Sequence, residues 1–162
     1  MRRLAPILIA LLLVVLAGCG GGDDPDPTPP PIPTSTASLA GSTATDGICQ
    51  VTIPDDWVDD GTGRGQTSLG DRWTVFGGTI ASDDAWVRAI ELVKAQVGTD
   101  GATVDQTDTA ITITQANGRG YVHRERFGSR YCEFSVKTTA DRSAEVVTEW
   151  QQSAATLQPI QK

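Results

Sequence analysis

His123 is the only histidine in the 162 residues, so any serine-histidine-aspartate chemistry has to run through it. Ser129 lies a few residues further on, in a Gly128-Ser129 turn, with nothing beside it to orient it as a nucleophile. Asp55, Asp56, Asp59 and Asp60 are the densest group of carboxylates, and Trp57 stands among them. A calcium ion takes several carboxylate oxygens. These four miss the alternate spacing of an EF-hand loop, which favours a solvated acidic loop over a cation site. Gly61-Thr62-Gly63-Arg64-Gly65 offers glycines to a phosphate. The sixth-position glycine of a dinucleotide fingerprint and a Walker lysine are both missing, and a strand pattern follows in place of a helix, so the stretch reads as a flexible loop. Arg119, Arg124, Arg126 and Arg130 crowd one predicted hairpin of an acidic chain. They suggest an anion or partner patch. A solvated sheet face with an Arg124–Glu133 cross-strand pair accounts for the same residues.

Cysteine is the remaining reactive type. Met1-Arg2-Arg3 precedes an apolar run over residues 4–16, which Leu16-Ala17-Gly18-Cys19 closes. A basic start, a short apolar middle and a small-residue end make a secretory signal peptide. The run is too short for the ~20 residues of a membrane-spanning helix. Leu16-Ala17-Gly18-Cys19 resembles the lipobox of bacterial lipoproteins. That resemblance implies that Cys19 receives a diacylglycerol thioether and becomes the mature N-terminus after cleavage. Two acyl chains on one residue suffice for stable anchoring. An ordinary secretory signal with a coincidental cysteine is the plainer alternative.

Removing residues 1–18 leaves one domain's worth of chain. The formal net charge of −7 becomes −9 without Arg2 and Arg3, and −6 once Asp23, Asp24 and Asp26 are also set aside. Such a domain is a poor partner for nucleic acid, where Lys and Arg must neutralise phosphates. Anionic head groups should repel it as well, so the acyl chains and not protein charge must hold it at the membrane. Cys49 and Cys132 remain as an even pair, which in an oxidising compartment forms a disulfide. One histidine and no Cys-x-x-Cys spacing argue against zinc.

These residues need elements to position them. Residues 1–18 read as the lipoprotein signal peptide. Residues 19–45 read as the acylated cysteine and a Pro/Gly/Thr-rich disordered tether, too poor in apolar residues to offset its ordering entropy. Residues 46–162 read as a single α+β domain. Residues 48–53 alternate as a strand, ended by Pro54. Residues 55–65 form an unpatterned loop. Residues 66–69 and 72–80 flank a two-residue Gly70-Asp71 hairpin turn. Ser82 caps a helix with Trp86, Ile90, Val93 and Val97 on one face, closed by Gly98. Residues 99–108 allow a short edge strand. Residues 110–115, 119–127 and 130–137 form a meander.

In that meander, Phe127 faces Arg130, Glu125 faces Cys132 and His123 faces Phe134. A three-residue loop at 116–118 is expected to bring Ile111 and Ile113 beside Tyr121 and His123, keeping one apolar face. A closing helix covers 141–157, with Val146 or Val147, Trp150, Ala154 and Leu157 as its stripe. The predicted order, β-β-β-α-β-β-β-α, is an antiparallel sheet of about six strands packed by two helices.

Ile53-Pro54-Asp55-Asp56-Trp57 ends the first strand ahead of a hairpin and a helix. That arrangement resembles the PsbP-like superfamily, in which a strand ending in Pro-x-x-Trp is common. The resemblance implies a PsbP-like sandwich over residues 47–158 and, since those relatives mostly act as binding or accessory modules, a non-catalytic role. It brings no metal or catalytic residue with it.

The expected function is a lipid-anchored extracytoplasmic binding or accessory lipoprotein of the cell envelope without catalytic activity. Cys19 would hold it on the outer face of the cell membrane. No cofactor or metal is expected, and the partner is an unknown envelope protein or ligand. Asp55, Asp56, Trp57, Asp59 and Asp60 are its expected surface, the acidic tip serving even where the Trp57 side chain folds back to cap the sheet end as core, with Arg119, Arg124, Arg126 and Arg130 next. A small hydrolase using His123 and an envelope-structural spacer are the alternatives. A deep polar pocket at His123 would favour the hydrolase, an exposed apolar patch around Trp57 the binding module, and a uniformly polar surface the spacer.

Overall fold

The structure, a computed structural model, describes residues 40–161. The signal run, Cys19 and the tether through residue 39 lie outside the described residues. The strands are β1 (Gly41–Thr45), β2 (Cys49–Pro54), β3 (Val58–Asp59), β4 (Arg64–Gln66), β5 (Arg72–Thr79), β6 (Thr103–Gln106), β7 (Ala110–Thr114), β8 (Gly120–Phe127), β9 (Arg130–Lys137) and β10 (Gln158–Pro159). The helices are α1 (Asp83–Val97) and α2 (Ala144–Ala154). One antiparallel sheet runs β3-β4-β5-β9-β8-β7-β6 and a second runs β1-β2-β10, so the domain is α+β.

The large sheet is covered on both faces. Alternation along β5 and β9 sends Trp73, Val75, Cys132, Phe134 and Val136 to one side, where they meet Val51 and Ile53 of β2, Trp150 of α2 and Leu157 just after it. On the other side Ile111, Ile113 and Val122 meet Trp86, Ile90 and Val93 of α1. Ser82 caps α1 by accepting from the Ala85 N–H at 3.2 Å, and the Gly98 N–H closes it onto the Lys94 carbonyl. Each helix therefore seals one face, and only the two ends of the sheet are left open.

That double cover corrects the expected register of β7. Ile111 pairs with Arg124 and Ile113 with Val122, on the face opposite Tyr121 and His123. The requirement for one apolar face was the wrong constraint, because α1 supplies a second buried face. The β8–β9 register is as expected throughout, from Phe127 opposite Arg130 to Tyr121 opposite Val136. The expected sheet of about six strands has seven, and a second sheet of three strands accompanies it. The tether boundary at 45 is also corrected, since Gly41–Thr45 pairs with β2 and buries Ala44. The Gly70-Asp71 hairpin becomes a longer connection, with Gln66 opposite Arg72 and the Thr67 N–H donating to the Asp71 carbonyl. The unpatterned loop over residues 55–65 contains β3 and the start of β4, paired to each other.

Candidate functional site

Cys49 and Cys132 form a disulfide between β2 and β9, with Cα atoms 5.8 Å apart and both side chains fully buried. The bond pins the small sheet to the large one. Asp46 braces the same corner. Its Oδ1 accepts from the Ile48 and Cys49 N–H groups, and its Oδ2 accepts from the Gly77 N–H at 2.7 Å. Nothing in the sequence sets Asp46 apart from the other aspartates.

The acidic stretch divides. Trp57 is core: it is 5% exposed, lies nearly parallel to Phe134 and tilts against Trp73. Trp57 thus folds back as core, the reading the sequence favours for its side chain, and offers no exposed apolar anchor. Asp59 and Asp60 organise the β3–β4 turn, accepting from the Gly61 and Thr62 N–H groups. The Thr62 hydrogen bonds hold the Asp60 carboxyl below its ordinary value. Asp55 and Asp56 are exposed.

The arginine hairpin is not a free cationic patch. Arg119 pairs with Asp141 and Arg126 with Asp83. Arg124 is buried under α1. It donates through Nε to Glu133 at 2.7 Å and through Nη1 to the Ala89 carbonyl at 3.0 Å, and it lies over the rings of Tyr131 and Phe76. Burial pushes the Glu133 carboxyl up, against the pull of Arg124. Arg130 stays exposed at the strand start.

His123 lies half-buried in an open groove of ≈ 380 Å³ beside Gln151 of α2. Its Nδ1 shares a 2.8 Å hydrogen bond with the Thr112 hydroxyl, and its Nε2 is 3.6 Å from Glu125. Along an extended strand Ser129 is roughly 20 Å away, far outside hydrogen-bond reach. Neither the deep pocket nor the activated serine that hydrolysis would need is found at His123.

The surface that the sequence reading missed is the open end of the large sheet. α1 does not reach β3, β4 and the start of β5, and a groove of ≈ 800 Å³ runs there past Val58, Arg64, Gln66, Arg72, Thr74 and Phe76. Lys137 lies directly opposite Arg72 on the neighbouring strand. The Thr74 and Ser135 hydroxyls bond to each other at 2.8 Å on the same face. Strand parity places these residues together. The cue was present in the sequence, but using it required the β5–β9 pairing, which links segments far apart in the chain.

Fold and site thus define an α+β domain with a disulfide-pinned double layer and a grooved, open end to its large sheet. No family model matches the chain, and no curated protein matches it. Among solved structures it is similar to the solution structure of cyanobacterial PsbP (CyanoP) from Synechocystis. Identity is 16%, the TM-score is 0.42, and the match covers 71% of this chain and 88% of that one.

Proposed function

We propose that this protein is a lipid-anchored, extracytoplasmic binding or accessory lipoprotein of the cell envelope that performs no catalysis. The Cys49–Cys132 bond carries the reading, because a fully buried disulfide joining two sheets belongs to a protein that folds in an oxidising compartment. The lipobox-like Leu16-Ala17-Gly18-Cys19 then supplies export and anchor together. The open groove past Arg64 and Arg72 supplies the surface for binding, with exposed Asp55 and Asp56 on the adjacent hairpin. The test is metabolic labelling with a fatty acid in cells making the protein or its Cys19→Ser variant. Label on the parent and none on the variant, with the variant left uncleaved, supports the anchor. Label on Cys19→Ser, or none on the parent, overturns it.

A further inference from the structure

Arg72 and Lys137 are Cα partners across β5 and β9, so two cations face each other on one side of the sheet. Like charges in that relation destabilise a sheet. Arg64 lies on the same face one strand further out, opposite Thr74. Among the described residues none of the three makes an ion pair. The nearby carboxylates direct their hydrogen bonds elsewhere, Asp60 to Thr62, Glu133 to Arg124 and Asp46 to three backbone N–H groups, and Arg64 and Lys137 act on Asp60 and Glu133 through space without contact. Apolar surface accompanies the charge. Val58 and Leu69 are 64% and 53% exposed beside the cations, and Phe76 is half-buried on the groove floor.

We propose that this groove binds an acidic polypeptide segment of a partner protein, with carboxylates set on Arg64, Arg72 and Lys137 and an apolar side chain between them on Phe76 and Val58. Charge complementarity chooses the occupant, because three unpaired cations are gathered on one face of a domain that is otherwise strongly acidic. A polypeptide fits better than a lipid surface. The site is a groove bounded by the Asp60–Thr62 turn, which a planar bilayer cannot enter. The repulsion between Arg72 and Lys137 is relieved when an anion sits between them. The inference deepens the binding half of the proposed function and is independent of the anchor.

The experiment uses the detergent-solubilised full chain and its Arg72→Gln/Lys137→Gln variant. The probes are a synthetic extended peptide of alternating Glu and Val, its Lys/Val counterpart, and glycerol 3-phosphate as a bare head group. The Glu peptide should bind the parent and the Lys peptide should not. Binding should weaken at high salt and fall about tenfold in the double variant, two exposed charge pairs being lost. The variant should melt no lower than the parent, since a repulsion has been removed. Equal binding by parent and variant, no binding of the Glu peptide, or glycerol 3-phosphate binding as tightly as the peptide would each overturn the proposal. A lower melting temperature for the variant would make the cations structural and also overturn it. None of these results bears on acylation of Cys19, so failure here leaves the anchor standing.

Discussion

Arg142 grips Asp71 with two hydrogen bonds, Nε to Oδ2 at 2.9 Å and Nη2 to Oδ1 at 2.6 Å, and so ties the approach to α2 to the β4–β5 connection. The carboxylate is buried, and the Thr67 hydroxyl accepts from the Asp71 N–H at 3.1 Å. Burial alone would raise the Asp71 carboxyl, but Arg142, Thr138 and Thr67 outweigh it and hold the group below its ordinary value. Asp71→Asn should cost about 2–4 kcal/mol, somewhat less than for a fully enclosed pair because Arg142 still reaches solvent. A depressed folded-state value gives stability that is present above the unfolded value and is lost as pH falls through the folded one. Urea midpoints should therefore drop on acidification for the parent and drop less for Asp71→Asn. Parallel acid limbs would remove Asp71 from the account.

Arg124 and Glu133 pose the opposite case. Both side chains are almost fully enclosed, and burial raises Glu133 despite the guanidinium beside it. A raised carboxyl favours the protonated form in the fold, so its ionisation penalises stability as pH rises through the folded value. Arg124→Met should cost about 3–5 kcal/mol by leaving Glu133 buried without its partner. Replacing both as Arg124→Met/Glu133→Leu should cost less than the single change, since no charge is then stranded. Chemical denaturation of the four-member cycle measures the coupling. A double variant as unstable as the sum of its parts would mean that the pair does not act as a unit.

The two helices, the long strands and the β8–β9 register were legible because each carries its own periodic apolar pattern and cap. Ser82 and Gly98 are such local signals, and so is the Gly128-Ser129 turn. β1, β3 and β10 were not legible, since Gly41–Thr45, Val58–Asp59 and Gln158–Pro159 have no alternation of their own and exist only through their partners. The face of β7 was misassigned because a local pattern says which residues are apolar but not how many layers will cover them. The disulfide could be inferred from compartment and parity alone. The basic groove could not, because Arg64, Arg72 and Lys137 become neighbours only once β4, β5 and β9 are aligned.

Trp57 discriminates between surface and core. It lies 6.4 Å, centroid to centroid, from both Trp73 and Phe134. Trp57→Ala should therefore cost about 3–5 kcal/mol, as for other large aromatic truncations in cores. Asp55→Asn and Asp56→Asn, both at exposed positions, should change stability by less than about 0.5 kcal/mol. Partial burial and, after it, the repulsion of Asp56 raise the carboxyl of Glu149 on α2. Removing the Asp56 charge should therefore lower the Glu149 value, which can be followed by carboxyl NMR titration. A Trp57→Ala variant as stable as the parent would put Trp57 back on the surface.

The last prediction concerns Gly77, which stands opposite Cys132 on β5. A Cβ at that position would lie 2.4 Å from Cys49 Sγ and 2.6 Å from the Ile48 side chain. The disulfide is therefore seated against bare backbone, and a methyl group there must push both the sulfur and Ile48 aside. The bond closes a sequence separation of 83 residues, for which loop entropy gives about 4–5 kcal/mol as an upper figure. Intact mass of the oxidised protein should be lower by two hydrogens than after reduction, and Cys49→Ala/Cys132→Ala should lose several kcal/mol. Gly77→Ala should cost about 1–3 kcal/mol by overpacking. In the Cys49→Ala/Cys132→Ala background the sulfur is gone and only the Ile48 contact remains, so Gly77→Ala should cost less there. Equal cost in both backgrounds would show that Gly77 is needed for a reason other than the disulfide.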